Sequence, residues 1–225
     1  MDATLNTLAR DGVLRVAINT GNRALVQIVD GVPQGVSPAL ARRLADQIGA
    51  KMDVVLYDGA GKVFNDATAD IWDIAFLAID ATRAKGISFT RSYFTIEATY
   101  AVRKGGPVRS IEQADQDGLT VLTSIGSAYD MYLGANLKHA NHDRTGTPTE
   151  SFAAFQQGRG DVVAGVRASL LRFFQDDPTI EVLSGVVTEV AQAMVLPGAD
   201  NPVIDALDAF VAEAIGDGFV EAHTA

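Results

Sequence analysis

The chain contains no cysteine, which removes disulfides, thiol nucleophiles and thiolate metal ligands together and leaves the redox compartment open. Positive charge is scarce: 18 Lys and Arg stand against 28 Asp and Glu, for a formal net charge of -10. Nucleic acid and anionic membrane surfaces are recognised by clustered Lys and Arg. No such cluster occurs, so neither partner is expected. Long apolar runs are missing too. Stretches such as VVLY and DVVAGV fall far below the roughly 18 residues of a membrane-spanning helix, so no direct membrane insertion is expected. The N-terminal MDATLNTLARDG lacks the basic end and apolar run of a secretory leader. If a leader belongs to this protein it was removed upstream, and Met1 is then an added start.

What remains is the composition of a folded chain, with 48% hydrophobic and 20% charged residues, 21 glycines and 7 prolines. A length of 225 residues suits one large α/β domain or two lobes of roughly a hundred residues each.

GVLRVAI, residues 12 to 18, is apolar and β-branched and predicts a buried strand. Asp30-Gly31 predicts a turn, with Ser37 as N-cap and Pro38 at the first position of a helix running to about Gly49. Val36, Leu40, Leu44 and Ile48 form its apolar stripe, Gly49 closes it in the left-handed region, and KMDVVLY follows as a strand. Strands are likewise expected in WDIAFLAI (72 to 79) and LTVLTSI, with a short helical piece capped by Ser110 between them and a helix from about 128 to 137. In PTESFAAFQQGRGDVVAGV, a helix with Phe152 and Phe155 on one face leads through Gly158-Arg159-Gly160 into another strand. DNPVIDALDAFVAEAIGDGF predicts a final amphipathic helix. Alternation of β and α elements implies parallel sheets, here in two α/β halves meeting near residues 95 to 100.

Other motifs carry less. DGAGK at 58 to 62 lacks the GxxxxGK[ST] spacing of a phosphate-cradling loop and is expected to be a turn. His139 and His142 stand three apart on a frayed helix end with no further ligands apparent, so surface roles and no metal are expected. Lys85, Arg91 and Arg103 are expected to be surface charge, and Trp72, Phe173 and Phe174 packing residues.

With this order of elements in place, five fragments resemble the amino-acid-type solute-binding proteins of bacterial uptake systems, the extracellular family 3 group: GVLRVAI, GVSPALARRLADQIGA, DATRAKGISFTRSY, GLTVLTSIGSAYD and FQQGRGDVVAGV. The resemblance runs the length of the chain in the family's order. It implies an α/β, two-lobed fold of the periplasmic-binding-protein (type II) kind, each lobe a small mixed, mainly parallel sheet flanked by helices, with two hinge crossings. By that template lobe one is residues 1–95 plus 194–225 and lobe two is 96–193. It further implies a monomeric receptor without catalysis or cofactor, closing by hinge bending on a small carboxylate-bearing ligand. The partner would be the permease of an ABC transporter, and the location periplasmic if a leader was removed.

The same resemblance carries roles onto particular residues. Arg83 falls on the position that clamps the ligand carboxylate, and a planar guanidinium matches two carboxylate oxygens. Ser127, in the Gly126-Ser127 turn at a helix start, falls on the position that donates a hydroxyl and a backbone N–H from the other lobe. The main chain of Ala78 falls where the family presents another N–H. The departures bear on ligand identity. The aspartate that pairs with an amino-acid ammonium is replaced by Val166; Asn22 replaces a stacking aromatic and Asn19 an acid. This set favours a carboxylate with hydroxyl or carbonyl groups, unless Glu97, Asp130 or Glu189 supplies the missing charge, because a buried ammonium without a partner is costly. Arg167 is expected to be surface charge, unless a strand register shifted by one brings it, beside Val166, to the same place. The rival expectations are a cyclohexadienyl-dehydratase-like enzyme with Glu97 or Glu189 as acid or base, and a cytoplasmic or receptor-linked sensor.

Overall fold

A computed structural model describes residues 4–224. In chain order the first half contributes β1 (Val13–Asn19), β2 (Gln27–Val29), β3 (Val32–Gln34), α1 (Val36–Gln47), β4 (Lys51–Tyr57), α2 (Ala60–Asn65), β5 (Ile74–Ala78) and the long β6 (Ile87–Arg103). Then follow β7 (Thr120–Ser124), α3 (Ala128–Asn136), β8 (Asn141–Thr145), α4 (Pro148–Gln156), β9 (Val162–Val166), α5 (Arg167–Phe173), β10 (Ile180–Val182), β11 (Thr188–Pro197), α6 (Ile204–Gly216) and α7 (Phe219–His223). The chain divides into two compact units. One comprises Met1–Thr20, Leu25–Thr95 and Ala191–Ala225; the other comprises Gly21–Ala24 and Ile96–Val190. The chain passes between them on either side of Gly21–Ala24, then inside β6 and again inside β11.

In the first unit β1 pairs in parallel with β4 over its whole length and with β5 on its other side, while β11 runs antiparallel to β5. The parallel pairs follow from the α1 and α2 crossovers, since parallel neighbours need a connection that returns the chain to the same end. Ala17, Trp72, Leu77, Ile87 and Val195 are shielded together with Val63 of α2. Asp30 and Gly31, both at positive φ (50° and 78°), turn β2 into β3. In the second unit the order is β10-β6-β9-β7-β8, antiparallel across β6 and parallel among β9, β7 and β8. Its core gathers Leu122, Phe152, Phe155, Val163, Leu170 and Phe174. Each unit is therefore an α/β body with a mainly parallel sheet and flanking helices.

Three local expectations are corrected. Gly35, not Ser37, precedes α1. Its φ of 103° suits glycine, a Cβ there would strike the Leu25 carbonyl, and Ser37 inside the helix shares a buried hydrogen bond with Tyr93 Oη at 2.8 Å. DGAGK is not only a turn, because α2 begins at Ala60 after an extended Gly59. The segment around His142 is not a frayed helix end but β8, paired in parallel with β7, which places His142 opposite Val121.

Candidate functional site

In the first unit, β5 ends at Ala78 and the chain turns at once. Asp80 Oδ1 accepts the backbone N–H groups of Thr82 (2.7 Å) and Arg83 (3.0 Å), an aspartate-anchored turn that starts a single 3-10 turn at Arg83–Lys85. Arg83 is buried, 1% exposed, and its Nη1 donates to the Ala78 carbonyl at 3.0 Å. Burial brings the guanidinium pKa down to about 10 against the partial offset of the Asp80 charge, so the side chain stays cationic at neutral pH. The Ala78 group engaged here is thus its carbonyl.

In the second unit, β7 ends at Ser124, Gly126 follows at φ 71°, and Ser127 caps α3. The Ser127 Oγ accepts the Asp130 N–H at 3.1 Å, and the Ser127 N–H donates to the Ser124 carbonyl at 3.1 Å. That N–H is committed within the turn, a difference from the role expected for it. What the turn retains is the Ser127 hydroxyl proton and the first amides of α3, which have no acceptor inside the helix. Asp130, 3% exposed, fixes the turn from beneath. Its Oδ2 accepts the Gly126 N–H at 3.0 Å, and its Oδ1 accepts Thr123 Oγ1 at 2.6 Å and Arg144 Nε at 2.9 Å. His142 Nε2 lies 2.8 Å from Thr123 Oγ1. Burial, with Arg144 adding to it, holds the imidazole below its usual pKa against the pull of Asp130.

Asn19 closes β1 in the first unit, whereas Asn22 sits in the short Gly21–Ala24 segment grouped with the second. That segment is tied down by Ser169, whose Oγ accepts the Arg23 N–H and donates to the Gly21 carbonyl, each at 3.1 Å. The Asn22 Oδ1 is buried without a hydrogen-bond partner among the described residues. Val166 is the last residue of β9 and the residue before α5. Glu97 is bound to Arg167, Nε to Oε2 at 2.8 Å, and the rest of the Arg167 guanidinium donates to the carbonyls of Leu183, Ser184 and Gly185.

Residues 14–223 match the bacterial extracellular solute-binding proteins, family 3. The chain belongs to this family. Among curated family relatives it is 28% identical over 170 residues to a cyclohexadienyl dehydratase of Pseudomonas aeruginosa, covering 72% of this chain and 62% of that protein. It is 25% identical over 156 residues to a glutamine-binding protein of Geobacillus stearothermophilus, covering 69% and 59%. These matches span about three fifths of the length of both relatives. Among solved structures, a solute receptor for L-cysteine of Neisseria gonorrhoeae superposes with a TM-score of 0.84 at 20% identity over 98% of this chain and 92% of that one. That likeness establishes the two-lobed periplasmic-binding-protein fold.

Within this family 3 chain several acids and bases take places that the sequence does not announce. Both oxygens of Asp130 are engaged inside the second unit. His142 is a half-buried member of the same cluster, not a surface residue. Arg103 is not surface charge either. It donates to the carbonyls of Gly160 (2.7 Å) and Phe155 (2.6 Å), with its guanidinium 4.2 Å from the Phe155 ring centroid. Glu189 is exposed. Among the described residues no group of three or more His, Cys, Asp or Glu is placed to hold a metal. Among the described residues no helix is long and apolar enough to cross a membrane. The one local signal that pointed to Asp130 is its spacing, three residues after a capping serine.

Proposed function

We propose that this family 3 protein is the receptor of an ABC-type uptake system in the periplasm, capturing a small carboxylate-bearing ligand between its two units by hinge closure. The observation that carries this reading is the buried Arg83 guanidinium, aimed by an aspartate-anchored turn at the end of β5. Such a fixed, desolvated fork is suited to a carboxylate and poorly replaced by lysine. From the second unit, the Ser127 hydroxyl and the first amides of α3 are donors of the right kind for the same carboxylate. One anion held by both units then links them, and ligand binding stabilises the closed arrangement.

The ligand class follows from the residues that the family resemblance assigns to the site. Val166 offers no charge to an ammonium, Glu97 is neutralised by Arg167, and Asp130 is spent on its own turn. The Asn22 Oδ1, a buried acceptor without a partner, is suited to a hydroxyl or amine of the ligand, since an unsatisfied buried acceptor costs about 1–3 kcal/mol. A hydroxy or keto acid, or an amino acid held through neutral acceptors, fits this set. Calorimetry with a panel of amino, keto and hydroxy acids tests it. Two charge-assisted hydrogen bonds at about 1.5–3 kcal/mol each make Arg83→Ala weaken binding roughly a hundredfold or more. Arg83→Lys, which keeps the charge, is expected to restore only part of that. The thermal unfolding of both variants without ligand separates lost binding from lost fold. Binding undiminished in a folded Arg83→Ala protein overturns the reading.

The similarity to the cyclohexadienyl dehydratase supports a second reading, an enzyme acting on a carboxylated ring. Its acid or base would have to be Glu189 or Glu97, and Glu97 already serves Arg167. Incubation with prephenate and detection of an aromatic product decides between the two. Turnover that is lost in Glu189→Gln would establish the enzyme.

A further inference from the structure

A pocket of about 290 Å³ lies wholly within the second unit and uses none of the residues assigned to the ligand above. Its apolar wall is Pro148, Phe152 and Phe173. The two rings meet edge to face with centroids 5.5 Å apart, and Phe152 is part of the core, so this wall is rigid. The rest of the lining is Gly21, Arg23, Thr149, Ser169 and Arg172. Ser169 fixes where Arg23 leaves the backbone, through the paired hydrogen bonds to Gly21 and Arg23. Gln175 Oε1 holds Arg172 Nη1 at 3.0 Å.

The charge of this lining is one-sided. No carboxylate lines the pocket, and among the described residues neither Arg23 nor Arg172 has an ion-pair partner, while seven of the thirteen arginines do. The nearest acid in sequence, Glu150, is turned back onto the Thr147 N–H at 2.6 Å. Two arginines and two aromatic rings lining one concavity at the small end of the usual range for ligand sites, about 300–1,000 Å³, select for charge and apolar body together. We propose that this pocket binds a small organic acid, with its oxyanion head between Arg23 and Arg172 and a flat apolar body against Phe152 and Phe173. The inference does not rest on the ligand site proposed at Arg83 and Ser127, because every group it uses belongs to one unit.

Amide-resolved NMR titration of the whole chain tests it, with benzoate as the probe, benzamide as the same ring without charge, and inorganic phosphate as charge without a ring. Benzoate is expected to give saturable shifts at the amides of Gly21, Thr149 and Ser169, and benzamide and phosphate much weaker ones. Both arginines are exposed, so the Arg23→Gln/Arg172→Gln double variant is expected to fold and to weaken the benzoate titration by about tenfold or more. The proposal is overturned if these amides do not respond to benzoate, if the double variant titrates like the parent, or if benzamide or phosphate matches benzoate. Loss of the shifts in Arg83→Ala alone would move benzoate to the other site, overturning this inference while leaving the proposed function intact.

Discussion

Replacing Asp130 by alanine removes one carboxylate and strands every donor that converges on it. The Gly126 N–H, the Thr123 hydroxyl and the Arg144 Nε lose their acceptor at once, in a place where Asp130 itself is 3% exposed. Breaking a buried charge pair by deleting one partner costs about 3–5 kcal/mol. This pair sits toward the lower end, because half of the Arg144 side chain is in contact with solvent and can recover hydration (49% exposed). About 3 kcal/mol is a large share of the roughly 5–15 kcal/mol that holds a domain folded. It corresponds to a rise of roughly a hundredfold or more in the open population. Hydrogen exchange is the assay of choice, because a chain of two units need not unfold in one step. Amides of β7, β8 and the first turn of α3 are expected to exchange faster by about two decades. Asp130→Asn, which keeps an acceptor but not the charge, is expected to recover about half of the loss. If Asp130→Ala leaves the exchange of β7 and α3 unchanged, the carboxylate is not what holds the Gly126-Ser127 turn.

The same cluster makes stability depend on pH. Burial holds the folded-state pKa of His142 below its usual value near 6.5, so the unfolded chain takes up the proton first as pH falls. Stability is then expected to be complete above about pH 7 and to decline from about pH 6.5 down to the folded-state pKa. Thermal melts across that window should show the decline, and His142→Gln should flatten it; an identical profile in the variant would assign the dependence to other groups. Gly35→Ala is expected to destabilise by about 1–3 kcal/mol, since it forces a side chain into φ 103° and onto the Leu25 carbonyl. Denaturant titration reads this directly, and a neutral result would mean that the start of α1 shifts freely. Phe155→Ala, at a fully buried ring that also carries the Arg103 guanidinium, is expected to cost about 3–5 kcal/mol by the same measurement. A loss below about 1 kcal/mol would show that the site collapses around the gap.

What could be read from the chain before its structure divides by the sequence distance over which each contact acts. The strand in GVLRVAI, the α1 stripe of Val36, Leu40 and Leu44, and the glycine at φ 66° after that helix are set by neighbours within a few residues, and the pattern shows them. The turn before Arg83 and the Ser127 cap are equally local, each closed by a partner two or three residues away. Ser37 shows where that logic stops. Its cap position is plausible by local rules, but the close approach of Gly35 to Leu25 and the buried hydroxyl pair with Tyr93, 56 residues on, decide the helix start. Arg103 and Arg167 are further cases, each satisfying carbonyls that the fold brings from another part of the second unit, with no trace in spacing or composition. An arginine in a sequence is therefore ambiguous in a particular way. Its reach allows it to serve backbone carbonyls, a carboxylate of the chain or an anion from outside, and only the census of acceptors around the folded guanidinium separates these. By that census Arg167 is saturated by the chain, whereas Arg23 and Arg172 keep charge to offer. The competition experiments with benzoate, phosphate and the arginine variants measure that distinction directly.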